Sequence, residues 1–294
     1  MTPTNGYITT PDGVRLFFQK LGTGPTTIVL INGFYLLDDF KRLANRHTLI
    51  SLDLRNRGRS DYITDDSKLQ RGIHQDADDL EFVRRHFGLT QLNLIGHSYA
   101  GTLVMLYAVN HPSHAGRIVQ IGAPPPDGSK RYPAHLMNAD SVLAEFFFKV
   151  QELEKARAST DPVLFCEKFW KLLRGIYVAN PADADKLKWD SCNLPTELNL
   201  MTYYLGSIAP SLQRLKLTAQ DLEVVKSAVL TVHGTKDRSA PYGGALDWVE
   251  LLPNAQLLTI EGVAHAPWIE APDQVFSVIE SFFHVSPGES SKRL

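Results

Sequence analysis

Cysteine is scarce in this chain: Cys166 and Cys192 are the two among 294 residues. Two such residues make neither a disulfide framework nor a metal-binding spacing, and buried free thiols in a reducing compartment are the expectation. Charge of one sign is also lacking. Thirty basic and 32 acidic residues leave a net charge of −2, with no long run of either sign. That excludes the basic stripe of a nucleic-acid binder and the patch of a membrane-surface protein. No apolar run approaches the roughly 18 residues of a membrane span. The start of the chain, 1–10, is polar and lacks the basic-then-apolar order of a secretory signal. No internal repeat is present. These absences lead to the expectation of a soluble, cytoplasmic protein with no nucleic-acid or membrane partner.

What the sequence does have is a strand–helix alternation. Hydrophobic residues make up 44% and charged residues 21%, ordinary for a globular protein, and the length allows one large core with room for an insertion. Residues 7–10 and 14–20, around Pro11-Asp12-Gly13, read as two short strands joined by a turn. Residues 27–31 and 48–52 are continuous β-branched and apolar runs, as expected of strands covered on both faces. Between them 36–46 reads as a helix, and 75–87 carries Ala77, Leu80, Phe82, Val83 and Phe87 at helical spacing. A strand into Ser98, a helix behind it and a strand over 116–121 follow. This alternation predicts an α/β fold with a mostly parallel sheet, whose ligands bind beyond the carboxyl ends of the strands.

The alternation stops at Ala123-Pro124-Pro125-Pro126-Asp127-Gly128. From about residue 132 to 215 the pattern is helical, with apolar stripes over 141–158 (Val142, Leu143, Phe146, Phe147, Val150, Leu153) and 162–177 (Phe165, Phe169, Trp170, Leu172, Leu173). Packing between helices accounts for each aromatic singly, while together they could line an apolar pocket. Strands over 228–232 and 255–260 and helices over 242–251 and 272–283 restore the alternation. The expected organisation is a core over 1–124, a helical lid over 125–215, a second part of the core over 216–285 and a flexible tail over 286–294.

The segment Leu94-Ile95-Gly96-His97-Ser98-Tyr99-Ala100-Gly101 is a strand, a very tight turn and a helix, with Ser98 at the apex. A turn so sharp strains its central residue and needs small side chains two positions away on each side. Gly96 and Ala100 supply them. A serine hydroxyl needs a base to take its proton and a third group to orient that base. Asp237 follows the strand over 228–232, and His265 follows the strand over 255–260. Asp127, after the strand over 116–121, is the alternative acid. His97, beside the serine, is expected to support the site rather than react.

In the order serine, acid, histidine, and in the motifs Gly96-His97-Ser98-Tyr99-Ala100-Gly101, His233-Gly234-Thr235-Lys236-Asp237-Arg238 and Gly262-Val263-Ala264-His265, the sequence resembles the α/β-hydrolase fold superfamily. The likeness spans 7–122 and roughly 217–283, and is closest to the lidded esterase and proline-iminopeptidase-like branch. The loop Asp53-Leu54-Arg55-Asn56-Arg57-Gly58-Arg59-Ser60 is similar to one that recurs in that family. The resemblance implies a metal-free, cofactor-free serine hydrolase acting on a small ester or amide through Ser98, His265 and Asp237. Backbone N–H groups of Tyr99 and Phe34 are then expected to form the oxyanion hole. Asn32 stands where relatives carry histidine, Ala100 where glycine is commoner, and Asn56 where glycine is more usual. An ester is the first expectation and an N-terminal proline peptide the second, the latter wanting lid carboxylates such as Glu145, Glu152, Glu154 or Glu197. Carbon–carbon bond hydrolysis, perhydrolysis and a receptor without turnover use the same scaffold.

Overall fold

The strands that read as unbroken apolar runs do so because both of their faces are covered. A computed structural model describes residues 3–130, 140–188 and 192–284. Eight strands form one sheet in the order β1-β2-β4-β3-β5-β6-β7-β8. They are β1 Thr4–Thr9, β2 Arg15–Leu21, β3 Thr27–Ile31, β4 Thr48–Leu52, β5 Leu92–His97, β6 Ala115–Ile121, β7 Val229–Gly234 and β8 Ala255–Ile260. Strand β2 pairs antiparallel with β1 and β4, and every pair from β4 to β8 is parallel.

Alternation along each strand sorts the side chains onto two layers. Val29 and Ile31 join Ile50, Leu52, Leu94 and Val229 on one face. Ile28 and Leu30 join Leu49, Ile95, Val119 and Val232 on the other. Helices α2 (Ile73–His86) and α3 (Tyr99–Asn110) cover the first face. Helix α1 (Gly33–Phe40) covers the second with Leu36 and Phe40. Helix α3 is buried all round from Tyr99 to Ala108, so its helical period is invisible in hydrophobicity alone. Each fully buried aliphatic side chain contributes about 1.5–3 kcal/mol, and the centre of the sheet is made of little else. The helix expected over 36–46 begins earlier, at Gly33, and gives way to a 3₁₀ turn over Lys41–Asn45.

Between β6 and β7 the regular elements of the described residues are helical. Helix α4 (Ser141–Lys155) is capped by Asp140, which accepts from the Val142 and Leu143 N–H groups. Asp161 caps α5 (Pro162–Tyr177), with Pro162 at its first position, where a missing N–H costs nothing. Helix α6 (Ala209–Arg214) ends the insertion. Its neck is closed by backbone bonds from Leu217 N–H to the Pro126 carbonyl and from Gly128 N–H to the Leu215 carbonyl. Helices α7 (Gly243–Leu251) and α8 (Pro272–His284) complete the fold. The tail expected over 286–294 lies outside the described residues.

Cys166 and Cys192 are joined in a disulfide, their Cα atoms 5.8 Å apart, and the expectation of two free thiols is overturned. Cys166 lies on α5 and Cys192 on the segment that folds back beside it, so a separation of 26 residues becomes a bonding distance. The expectation of a reducing compartment rested on those thiols and loses that support. No helix of the described residues is long and apolar enough to cross a membrane.

Candidate active site

Ser98 sits between β5 and α3 with φ 58° and ψ −130°, a conformation that costs a non-glycine residue about 1–3 kcal/mol. The turn is over-determined by its surroundings. Ser98 N–H donates to the Ile121 carbonyl at 2.9 Å, and Gly101 N–H donates to the Ser98 carbonyl at 2.8 Å. A Cβ on Gly96 would lie 2.2 Å from the Ala100 carbonyl oxygen, so only glycine fits there. Ser98 is thereby held at the wall of a cavity.

Asp237 and His265 come from the loops after β7 and β8, and the structure brings them together. His265 Nδ1–H donates to Asp237 Oδ2 at 2.7 Å, both side chains being completely buried. Asp237 Oδ1 accepts from Ala240 N–H at 2.8 Å, and His233 Nε2 stands 3.1 Å from Oδ2 and 2.6 Å from the Ala240 carbonyl. Burial by itself would raise the Asp237 carboxyl, but His265 and His233 beside it hold it well below the usual carboxylate range. Asp237 is therefore a permanent anion behind the imidazole. Asp127, the alternative acid, lies at the neck of the insertion, bonded to Ser129 and near Lys130 and Lys216.

Gly122 went unremarked in the sequence. It follows β6 with φ +55°, and a Cβ there would lie 2.8 Å from His265 Nδ1 and 3.1 Å from Asp237 Oδ2. Its signal is a lone glycine directly after an apolar strand. His97 packs its ring 4.5 Å from that of His265. Burial, followed by the nearness of His265, keeps its pKa well below the ordinary histidine value. A neutral ring has one donor, and the carbonyl of His265 can only accept, at 3.1 Å from Nε2. Nε2 therefore carries the proton, and Nδ1 accepts from the Tyr35 hydroxyl at 3.0 Å. His97 thus ties the serine turn to the histidine loop.

Of the two backbone donors expected for an oxyanion hole, Tyr99 and Phe34, the second is already engaged. Tyr99 N–H lies in the first turn of α3, where amides lack helical acceptors and the helix dipole favours negative charge. Phe34 N–H, in contrast, donates to Asp53 Oδ1 at 2.8 Å and is not directed at the substrate. The cause is the early start of α1. Asn32 adopts φ 61°, the helix begins at Gly33, and the buried Asp53 carboxylate takes an amide of the first turn. Asp53 Oδ2 accepts from Arg59 N–H as well. Burial pushes Asp53 up to about 6 against those two bonds.

The cavity beside Ser98 has a volume of about 300 Å³ and walls that include Phe146, Phe147, Phe169, Trp170 and Leu173 of the insertion. The aromatic stripes read from the sequence thus serve both helix packing and the cavity wall. One cluster among the described residues has metal-ligating composition: Glu81, His111 and His114, with ligand atoms within 4.8 Å of one another. Its carboxylate already accepts from Arg84, Arg85 and the Tyr107 hydroxyl, so it is an ion-pair node on α2.

A strained serine after a parallel strand, with a histidine–carboxylate pair delivered by the last two strands, defines an α/β hydrolase. The alpha/beta hydrolase fold profile matches residues 26–272, and the chain belongs to that family. It is similar to a "bifunctional esterase/perhydrolase" of Acinetobacter calcoaceticus, 26% identical over 278 residues, covering 90% of this chain and 95% of that one. It is also similar to a proline iminopeptidase of Heyndrickxia coagulans, 26% identical over 310 residues, covering 96% and 99%. Among solved structures an esterase from Exiguobacterium antarcticum shares the fold with a TM-score of 0.75 at 18% identity, covering 96% of this chain and all of that one.

Proposed function

We propose that this hydrolase is a serine carboxylesterase acting through an acyl-enzyme. The observation that carries the reading is the buried 2.7 Å bond from His265 Nδ1 to Asp237 Oδ2, its imidazole packed on His97, the neighbour in sequence of a strained Ser98 that opens onto an aromatic cavity. With Nδ1–H committed to Asp237, Nε2 is the basic nitrogen of the ring. It takes the Ser98 proton as Oγ attacks the ester carbonyl. The imidazolium so formed is stabilised by the anionic Asp237. Tyr99 N–H, in the first turn of the helix behind Ser98, donates to the developing oxyanion. Collapse of the tetrahedral intermediate expels the alcohol, which takes the proton from His265. Water, deprotonated by the same nitrogen, then hydrolyses the acyl-Ser98 ester and frees the acid.

The aminopeptidase reading is weaker on a specific observation. Holding a free ammonium requires carboxylates on the cavity wall, and none of the described lining residues is acidic. Glu145 and Glu152 face solvent against Lys149 and Lys155. Glu154 pairs with Arg157, and Glu197 accepts from Gly58 N–H. Hydrolysis of p-nitrophenyl esters by the wild type and by Ser98→Ala tests the proposal. The variant is expected to lose at least about 10⁴-fold in kcat; activity within tenfold of wild type would contradict it.

A further inference from the structure

Arg57 is the charged residue among those described on the cavity wall. It belongs to the loop after β4 and is only 2% exposed. The rings of Tyr203 and Tyr99 flank it, with centroids 4.8 and 5.8 Å from its Cζ. Both are cation–π distances, and the guanidinium can meet a ligand only through its N–H groups. The Tyr99 hydroxyl reaches the guanidinium, while Nη1 is sealed from solvent with no acceptor. Asp76 and Glu197 act on it through charge, yet neither oxygen of Asp76 and not Oε2 of Glu197 has a hydrogen-bond partner. The Tyr203 hydroxyl and Asn32 Oδ1 are in the same state.

A buried polar atom without a partner costs about 1–3 kcal/mol, and interiors normally satisfy such atoms with protein, water or ligand. Five neighbouring residues here each hold one or more. Of the five, Arg57 and Asn32 line the cavity and the others lie behind them; the rest of the wall is mostly apolar, so Arg57 and Asn32 mark a polar end to a greasy cavity. A cation is poorly suited to it, because Arg57 is already there. Burial pushes both Asp76 and Glu197 up to about 7, so near neutrality they balance the guanidinium only in part. A planar guanidinium standing as the charged group on an otherwise largely apolar wall matches a carboxylate, the anion whose planar geometry suits it.

We propose that Arg57 anchors a carboxylate subsite, and that the preferred substrates are monoesters of short dicarboxylic acids. The free carboxylate meets Arg57, the hydrocarbon part packs against Phe146, Phe169 and Trp170, and the ester carbonyl lies at Ser98. The substrate class rests on the serine-esterase reading; the anion subsite itself does not.

The test compares mono-p-nitrophenyl glutarate with p-nitrophenyl pentanoate, esters of similar length with and without the charge. Wild type is expected to favour the glutarate by at least about tenfold in kcat/KM, and Arg57→Met to bring the ratio to about one or below. A wild-type ratio at or below one, or an unchanged ratio in a folded Arg57→Met, overturns the proposal. Binding of pentanoate against pentanamide, read by thermal shift, needs no turnover. Pentanoate is expected to stabilise the wild type and pentanamide not, with Arg57→Lys intermediate. Equal effects of the two overturn the proposal even where Arg57→Met fails to fold. If no ester is turned over but pentanoate still binds preferentially, the esterase reading fails and the subsite stands. If neutral esters turn over with no charge preference, the reverse holds.

Discussion

The ring of Tyr177, the last residue of α5, stands edge-on to the imidazole of His265 with centroids 4.3 Å apart. The backbone makes the same junction: Ala266 N–H donates to the Tyr177 carbonyl at 2.9 Å. Glu270 locks it, its Oε1 accepting from Ala179 and Asn180 N–H and its Oε2 from Ala264 N–H. The inserted helices are therefore fastened to the loop that carries His265, and the position of its ring depends on the insertion as well as on the sheet.

Removing that lock tests the dependence. Glu270→Ala leaves three N–H groups without their acceptor, and a stability loss of about 2–4 kcal/mol is expected. If Glu270 positions His265, kcat on a p-nitrophenyl ester also falls by about tenfold while KM changes little, and Glu270→Gln, which keeps one acceptor oxygen, recovers part of it. A melting-point loss with unchanged kcat would make Glu270 a purely structural residue.

Gly122 offers a sharper probe. Its φ of +55° and the 2.8 Å approach of a Cβ to His265 Nδ1 mean that an added methyl must push the imidazole off Asp237. Gly122→Ala is expected to fold and to lose about 10²-fold or more in kcat/KM, since displacements of about 1 Å cost that much. Circular dichroism and ester kinetics together check it; near-wild-type kinetics would contradict the tight packing.

The tight turn at Ser98, the loops that carry Asp237 and His265 and the run of parallel strands were legible because each depends on local pattern: small residues around a turn, apolar runs, and loops after strands. The bond from Phe34 to Asp53 was not, because it depends on α1 starting at Gly33 with Asn32 left-handed, and the apolar spacing pointed to Leu36. Gly122 and Arg57 were hidden differently. Their roles come from what the fold places against them, 143 residues away for His265 and 140 for Glu197 by the residue numbers. The cysteine pair was missed because the insertion, not the sequence spacing, sets their separation.

Asp76 makes stability depend on pH in a definite direction. Burial, then the neighbouring Asp79, raises its carboxyl from 3.8 to about 7. A raised folded-state value means that its favourable contribution is complete below the unfolded value and is lost as pH rises through about 7. Asp76→Asn carries no such loss. Its stability relative to wild type is expected to rise by about 3 kcal/mol between pH 5 and pH 8, about two pKa units of linkage. Urea titrations at the two pH values measure it; a difference that does not change, or that falls, would show that Asp76 is not a buried, unpaired acid.

The Cys166–Cys192 bond closes a loop of 26 residues in the insertion. Replacing both residues with serine is expected to cost about 3–4 kcal/mol by loss of that constraint on the unfolded chain. Reductant should lower the melting point of the wild type and leave that of the double variant unchanged.

The most direct measurement is of the nucleophile itself. Incubation with a fluorophosphonate, followed by proteolysis and mass spectrometry, is expected to place one phosphonyl adduct on Ser98. The adduct should be lost in Ser98→Ala and slowed by about 10²-fold or more in His265→Ala. Labelling at another residue, or none at all in the folded wild type, would contradict a nucleophilic Ser98.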